Sequence, residues 1–436
     1  MNFRTYFQYT VILSTLALIF SCSKSASNET TPKISGPVIS SLSAYEGAFR
    51  TQIVIYGSGF GANKNDNLVY FNGELAEIDF ASTQQLTVEV PLSAGSGNVS
   101  ISVDNGTRVV GPKFTYIPSA IVSVFVGGNP NYETVDGQGT GAAFKGPTGL
   151  AFDQAGNLYV ADPFVHAIRK VTSNGLVSTI FRQAIALYPG DNDEFNHVAV
   201  DNSGNVYSTD ASHHTIHKIT PQGDTSTFAG NGTIGNKDGA LLQASFSMPT
   251  GIVIDKNNTM YITDQAENTI RKISNGVVST IAGGMQGASD GLGSAAMFYE
   301  PTGIAIGPDG NLYIADTNNH NIRKMSPQGM VTTIAGTGHN DWVNGVGTKA
   351  SFSSPFSIAA DRNGNLYVGE IGNSSTDIRK IAPDGAVSYF AGNGDTGQNN
   401  GPGNQATFIN PISMVCDISG NLYVADGRVI RKVVIE

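Results

Sequence analysis

The side chains that could do chemistry in this sequence are a histidine cluster, two Asp-Gly segments and a series of recurring acids. His213, His214 and His217 have the HHxxH form in which imidazoles can bind zinc. However, His217 takes the place of a recurring arginine, and on a predicted strand His214 and His217 would point to opposite faces. Residues 136–139 and 290–293 begin like calcium loops but lack the alternating oxygen ligands that calcium requires. The sequence therefore predicts no metal and no cofactor.

Acids recur once in every copy of a repeat. A ring of metal ligands is one interpretation of them. The other is that each acid caps backbone N–H groups of the loop that follows its strand and pairs across the sheet with a recurring arginine. We favour the second interpretation, because the binding of a single ion would not need six equivalent acids. The acids are Asp162, Asp210, Asp264, Asp316, Glu370 and Asp426, and the arginines are Arg169, Arg271, Arg323, Arg379 and Arg431.

The same repeat predicts the elements that position these side chains. Its best copy, residues 303–336, has four short runs rich in Val, Ile, Tyr or Thr, separated by turn residues. A four-stranded sheet of this kind cannot bury both faces alone, so six such units predict an all-β, six-bladed β-propeller. We number the units one to six by their tyrosines, which are Tyr159, Tyr207, Tyr261, Tyr313, Tyr367 and Tyr423.

The two ends of the repeat region are predicted to close the ring. Unit six, residues 411–436, contains three strands and then stops. Residues 121–128 have the form of the missing fourth strand, and they precede unit one. Pairing of the N-terminal and C-terminal strands would therefore complete one shared sheet and protect its edges.

The units resemble NHL repeats. The family pattern P-x-G-I-A, D-x-x-G-N-L-Y-V-A-D, N-H-x-I-R-K and V-x-T-I-A-G is met almost letter for letter at residues 301–336. The resemblance covers about residues 121–435 and implies a propeller. Related propellers include binding platforms, receptor sensor domains and a few metal-dependent enzymes, so the resemblance decides the fold more firmly than the function.

The first residues are predicted to direct export. The apolar stretch of residues 11–20 is too short to span a bilayer and is typical of a secretory signal. Residues 19–22 resemble a lipobox, which implies cleavage before Cys22 and its acylation; the alternative is an ordinary signal peptide with an incidental cysteine. We expect a signal over residues 1–22 and a flexible tether over 23–36, in a lipoprotein of the outer membrane.

The next segment predicts a second domain. Residues 37–117 alternate apolar and polar residues in short runs with turn signals, which predicts an immunoglobulin-like β-sandwich. The segment resembles an IPT/TIG domain, whose G-x-x-F-G turn ends here at Gly61. The propeller would then occupy residues 118–436. The net charge of −10, without a basic cluster, excludes nucleic acid as a partner.

Departures from the repeat indicate where a ligand binds. Residues 181–197 replace the usual connection between units, and His197 stands where other units have glycine, at the predicted mouth of the channel. Trp342, the only tryptophan, and the lengthened loop 370–377 are predicted on the same face. Trp342 could stack on a sugar ring or anchor a protein, or it could fold over its own unit. The candidate ligand-binding residues are Arg182, Tyr188, Asp191, Asp193, His197, Trp342 and Glu370.

Three functions remain open from the sequence. The leading hypothesis is a non-catalytic, lipid-anchored protein of the cell envelope that recognises an extracellular polysaccharide or a protein. The second is a metal-dependent lyase or lactonase-like hydrolase at the channel mouth. Its ligand set would be one-sided, with Asp191, Asp193, Asn196 and His197 on one side and Phe356, Ser357, Ile412 and Ser413 on the other. The third is a purely structural envelope protein.

Overall fold

A computed structural model of the chain describes residues 36–47, 51–91, 94–117, 120–130, 134–183, 196–372 and 376–435. The predicted signal with Cys22, nearly all of the predicted tether, and the candidates Tyr188, Asp191 and Asp193 lie outside the described residues. The described residues form strands and short 3-10 helices, which confirms the all-β class. No helix among them is long and apolar enough to cross a membrane.

The N-terminal domain is a sandwich of two sheets. Its core is formed by the inward-facing residues, which alternate with outward-facing ones along each strand. Examples are Ile53, Ile55 and Leu86, which are fully buried. One sheet has the order Val38–Leu42, Gln52–Ser58, Gln85–Glu89, Glu77–Ala81; the other has Glu46–Gly47, Val109–Tyr116, Gly97–Val103, Asn67–Phe71, Glu74–Leu75. In the G-x-x-F-G turn, a Cβ at Gly57 would lie 1.9 Å from the Val38 carbonyl oxygen, so this position requires glycine.

Each of the six repeat units forms one antiparallel sheet in the described part of the chain. The alternation of turn residues with short β-branched runs gives four strands that follow one another in sequence. The strands of units one to three are Gly149–Phe152, Leu158–Asp162, Ala167–Val171, Leu176–Arg182; Val198–Val200, Val206–Asp210, Thr215–Ile219, Thr225–Ala229; Pro249–Ile254, Met260–Asp264, Thr269–Ser274, Val277–Gly283. Those of units four and five are Pro301–Ile306, Leu312–Asp316, Asn321–Met325, Met330–Ala335; Pro355–Ala360, Leu366–Glu370, Ile378–Ile381, Ala386–Ala391.

The sheet of unit six contains strands from both ends of the repeat region. Pro411–Cys416, Leu422–Asp426 and Val429–Ile435 supply three strands, and Ala120–Gly127 pairs antiparallel with the last of them. Five of the sheets have a short fifth strand at one edge. These strands are Gly137–Gln138, Gly239–Ala240, Gly291–Leu292, Gly345–Val346 and Gly401–Pro402. The 3-10 helices are Lys64–Asp66, Gly139–Gly141, Pro163–Val165, Leu241–Gln243, Gly293–Ala295, Thr317–Asn319 and Gly347–Lys349.

The first strands of the six units contact one another in a closed cycle, which surrounds a central channel. A hydroxyl group bridges the backbones or loops of neighbouring units at every junction of this cycle, so each unit is held to the next. The hydrogen bonds are Thr148 Oγ1 to Asn196 O, Thr209 Oγ1 to Thr250 O, Thr263 Oγ1 to Thr302 O, Thr302 Oγ1 to Phe356 O, Ser357 Oγ to Pro411 O, and Leu150 N to Ser413 Oγ.

A buried ionic clamp recurs in five units and accounts for the repeated arginine and acid. In unit four the guanidinium of Arg323 lies 2.7 Å from Asp316 and also donates to the carbonyl oxygens of Met297 and Ser289 and to Asp290. Arg169, Arg271, Arg379 and Arg431 make equivalent contacts with the segment that enters their own unit. All five arginines are fully buried. The clamp therefore fixes each entering segment to its sheet, as expected of an architectural role.

Five of the recurring acids cap a different loop from the one we predicted, whereas Asp210 accepts a hydrogen bond from His213 N in the loop that follows its strand, as predicted. Asp162 accepts hydrogen bonds from the backbone N–H groups of Lys145 and Gly146, which precede the first strand of unit one. For these five acids the prediction of the following loop was wrong, because the antiparallel second strand ends beside the start of the first strand, where the chain enters the unit. Burial raises the pKa of Asp162, as it does for Asp316.

Unit two lacks the clamp. His217 replaces the arginine and lies 3.2 Å from Asp210, which also contacts His213 Nδ1 at 2.9 Å. Burial favours a raised pKa for Asp210, but hydrogen bonds from His217 and His213 outweigh it and lower the pKa. His214 lies in a turn with φ of 60° rather than on a strand, and His320 has the same left-handed conformation. Our prediction that His214 lies on a strand was therefore wrong.

Candidate ligand-binding site

The sequence-predicted candidates fall at separate places in the described structure. His197 lines the central channel, and Trp342 lines a cavity at unit five. Arg182 is the last residue of the fourth strand of unit one, where it pairs with Ala167. Glu370 ends the second strand of unit five. Two of the described candidates therefore line cavities, His197 in the channel and Trp342 at unit five.

The central channel has a cavity of about 260 Å³ lined by the first strands of the units. His197, Gly251, Gly303, Ser357 and Ser413 stand at its mouth. Burial lowers the pKa of His197 to about 4, so its imidazole is neutral near pH 7. Both serine hydroxyls already bridge units, and no carboxylate lines the channel among the described residues. These donors do not form the oxygen-rich set that divalent metals prefer.

The described residues hold no group of three or more His, Cys, Asp or Glu side chains that could bind a metal ion. The channel mouth therefore offers one imidazole and backbone groups for chemistry. That arrangement could bind a small polar molecule, but it supplies neither a metal cage nor a paired acid and base.

Unit five differs from the other units at positions that meet at one cavity. Glu370 stands where the five other units carry aspartate. Asp377 has the register of Asn321 in unit four, and Tyr389 has the register of Thr333. Trp342 lies in the segment that enters the unit. These departures are all confined to the neighbourhood of a single arginine clamp.

The unit-five cavity has a volume of about 460 Å³. Its walls are Trp342, Asp377, Tyr389, Phe390, Gly392, Asn393, Gly394, Gly403 and Asn404. Tyr389 is 51% exposed, and the Arg379 guanidinium carbon lies 4.7 Å from the centroid of its ring. Trp342 is half-buried, and its indole N–H has no acceptor among the described residues. The cavity thus combines two aromatic rings with a carboxyl group and two amides.

The charge of the cavity wall is negative. Asp377 is 1% exposed and Glu370 is fully buried behind it. Burial and the nearby Asp377 carboxylate raise the pKa of Glu370 to about 8, although Arg379 opposes the shift. No lysine or arginine is among the cavity-lining residues, and the Arg379 side chain is occupied by Glu370 and by backbone carbonyl groups. The cavity is therefore matched to ligands without negative charge.

Glu370 is not a ligand-binding residue in this geometry. Its carboxylate accepts a hydrogen bond of 2.5 Å from the Ser353 backbone and one of 3.2 Å from Arg379, and none of its surface reaches solvent. Glu370 holds the clamp that Asp316 holds in unit four. Sequence reasoning missed Asp377 and Tyr389. A register-by-register alignment of the units would have revealed Tyr389 as an exception to the threonine of units one to four, whereas the position of Asp377 varies among the units.

Comparison with known proteins defines the two regions. Residues 37–116 match the IPT/TIG domain, and residues 130–344 match the SMP-30/Gluconolactonase/LRE-like region. The predicted IPT/TIG domain and an NHL-type propeller region are thereby confirmed.

Similar proteins include SUPPRESSOR OF QUENCHING 1, chloroplastic, of Arabidopsis thaliana, 31% identical over 58% of this chain, and the human NHL repeat-containing protein 2, 30% identical over 35%. This chain covers 26% and 24% of those two proteins. A solved structure described as an auxiliary nutrient binding protein from Bacteroides thetaiotaomicron has a TM-score of 0.62 at 22% identity, covering 92% of this chain and 98% of that one. That likeness shows a shared fold.

Proposed function

We propose that this chain is a non-catalytic, lipid-anchored binding protein of the cell envelope, whose propeller recognises an extracellular polysaccharide or protein. The observation that carries the proposal is the convergence on one cavity of Trp342, the only tryptophan of the sequence, and Tyr389, which replaces the threonine of units one to four. In a repeat protein the shared residues maintain the architecture, so a local cluster of exceptions is the best candidate for a function. The binding role also agrees with the description of the Bacteroides structure as a nutrient binding protein.

The architecture in this proposal is a six-bladed propeller, residues 118–436, carried by a sandwich of residues 37–117. Each of the six sheets would be a blade, and the pairing of Ala120–Gly127 with Val429–Ile435 would close the ring. The closed cycle of contacts between first strands supports this count. Anchoring rests on the lipobox-like residues 19–22, with residues 23–36 as the tether, and places the protein outside the cytoplasm at the outer membrane.

A second candidate is a metal-dependent lyase or a lactonase-like hydrolase acting at the channel mouth. The match of residues 130–344 to the SMP-30/Gluconolactonase/LRE-like region favours it. The donor set of the described channel opposes it, because His197 has only hydroxyl and backbone groups around it. We therefore place the enzyme second.

A binding experiment with two matched variants separates these candidates. The full mature protein is applied to an array of immobilised neutral and acidic polysaccharides, and the bound fraction is measured for the wild type, Trp342→Ala and His197→Ala. We expect at least a tenfold loss of affinity for Trp342→Ala, because the variant removes one aromatic wall of the cavity, and no change for His197→Ala. Loss in His197→Ala with full binding by Trp342→Ala would instead place the function in the channel.

A further inference from the structure

We infer that the unit-five cavity binds one uncharged sugar ring of a polysaccharide, packed against Trp342 and Tyr389, and that it rejects acidic sugars. This inference rests on the proposed binding function and adds the chemical class of the ligand and its location. A pyranose ring has an apolar face of C–H groups and a rim of hydroxyl groups. A site for it therefore needs aromatic surface beside hydrogen-bonding acceptors and donors.

The aromatic surface of the cavity is available to a ligand. Tyr389 is 51% exposed although Arg379 covers one face of its ring, so exposed ring surface remains beyond the guanidinium. Trp342 lines the same cavity. Its indole N–H is shielded from solvent and lacks an acceptor among the described residues, so turning it toward a ligand oxygen would break no described hydrogen bond.

The polar side of the cavity matches hydroxyl groups. Asp377 is only 1% exposed, so it contributes the negative charge of the wall rather than a surface for direct contact. Asn393 is held by two hydrogen bonds with Asp395, at 2.9 and 3.2 Å, so its amide is already oriented. Asn404 supplies a second amide, with both a donor and an acceptor. The cavity volume of about 460 Å³ lies within the range of about 300–1,000 Å³ that is usual for small-molecule sites.

The negative charge of the cavity wall disfavours the binding of acidic sugars. A uronate or a sulfate ester would bring a negative charge beside Asp377, and no cation in the cavity lining could neutralise it. The nearest guanidinium, Arg379, already donates to Glu370, to the Ser351 and Val343 carbonyl oxygens and to Asn344. Binding an acid here would leave a poorly compensated charge in a partly buried site, which is unfavourable.

The fluorescence of the single tryptophan provides a direct test, because Trp342 is the only one in the chain. The full mature protein is titrated with neutral hexose oligosaccharides of several linkages and, separately, with oligogalacturonate. We expect a saturable change in tryptophan emission with at least one neutral oligosaccharide and none with oligogalacturonate. Isothermal calorimetry on the same samples measures binding wherever it occurs.

Two variants and a matched control identify the site. Tyr389→Thr installs the residue that units one to four carry and should weaken the neutral ligand at least tenfold. Tyr56→Thr alters a tyrosine of similar exposure, 43%, in the sandwich and should leave the titration unchanged. Asp377→Asn removes the wall charge and should raise the affinity for oligogalacturonate at least threefold.

The outcomes distinguish this inference from the proposed function. Binding that calorimetry detects, but that neither responds to Tyr389→Thr nor changes the tryptophan emission, would overturn the inference. The protein would then still bind carbohydrate, but at another site. Tighter binding of oligogalacturonate than of every neutral oligosaccharide by the wild type would overturn the ligand class alone. Absence of carbohydrate binding by both methods, with a protein partner captured through Trp342, would also overturn it and leave a protein-binding function.

Discussion

Units four and five share an arginine clamp, although its acid is Asp316 in one and Glu370 in the other, and they differ in the residues around it. In both, a fully buried arginine joins an acid on the second strand to the segment that enters the unit, at 2.7 Å from Asp316 and 3.2 Å from Glu370. The register of Thr333 is taken by Tyr389, and that of Asn321 by Asp377. Because the clamp persists while its surroundings change, unit five has not simply lost the repeat. It carries additional groups on an intact scaffold.

Unit two shows the opposite change. The connecting segment that a clamp would hold is replaced in the sequence, and His217 stands in place of the arginine. The arginine and its segment are therefore lost together, which is expected if the main task of the arginine is to fix that segment. In unit five both are kept, so the entering segment with Trp342 is fixed beside the cavity.

We expect the largest loss of stability when the arginine clamp of unit four is removed. Arg323→Met should lower the free energy of unfolding by about 3–5 kcal/mol, because it leaves the buried Asp316 and two carbonyl groups without their partner. Lys324→Ala is the neighbouring control and removes a half-exposed ion pair with Asp309, which is worth at most about 1 kcal/mol. Urea unfolding followed by circular dichroism measures both. Equal losses in the two variants would show that the clamp does not stabilise the unit.

A pH-dependent effect should be specific to unit five. The pKa of Glu370 in the folded protein is about 8, above its ordinary value of 4.5, because of burial and Asp377. A raised pKa means that the protonated form stabilises the fold, so its contribution is complete below about pH 4.5 and is lost as the pH rises through 8. Glu370→Gln should therefore lose less stability than the wild type between pH 5 and pH 8.

The control for this pH effect lies in unit four. Hydrogen bonds from Asn311, Lys324 and Tyr313 lower the pKa of Asp309 despite its partial burial, so its contribution is lost only as the pH falls well below 5. Asp309→Asn should parallel the wild type from pH 5 to pH 8. Melting temperatures across this range test both variants. A parallel curve for Glu370→Gln would mean that Glu370 is ionised throughout.

The repeat made the sheets predictable, whereas the cavity was only partly so. Alternating runs and turn residues recur six times, so a strand that is ambiguous in one unit can be assigned from its equivalents in the others. The acids and arginines were assigned to the architecture because they recur. Trp342 was found because it is unique. Tyr389 and Asp377 were missed because each lies in or beside a regular strand, where a single sequence does not separate a site residue from a tolerated substitution. Glu370 was assigned both to the architecture and to the ligand site, and its full burial agrees with the architectural assignment; burial depends on packing that the local pattern does not encode.

We expect the smallest change in protein stability from the substitution Tyr389→Thr. Tyr389 is half-exposed, and its contact with the Arg379 guanidinium is worth about 0.5–1 kcal/mol. Threonine at this register can replace that contact, since Thr333 in unit four donates its hydroxyl to Asp290 at 2.9 Å, and Asn344 has the place of Asp290 in unit five. The free energy of unfolding should therefore change by less than about 1 kcal/mol.

The reverse substitution in unit four completes this test. Thr333→Tyr removes the hydrogen bond to Asp290 and should cost more than Tyr389→Thr, about 0.5–1.5 kcal/mol. Urea unfolding of both variants, beside the wild type, measures the difference. If Tyr389→Thr is the more damaging of the two, by 2 kcal/mol or more, then Tyr389 belongs to the scaffold of unit five. A loss of ligand binding in that variant would then reflect unfolding of the cavity wall rather than loss of an aromatic contact.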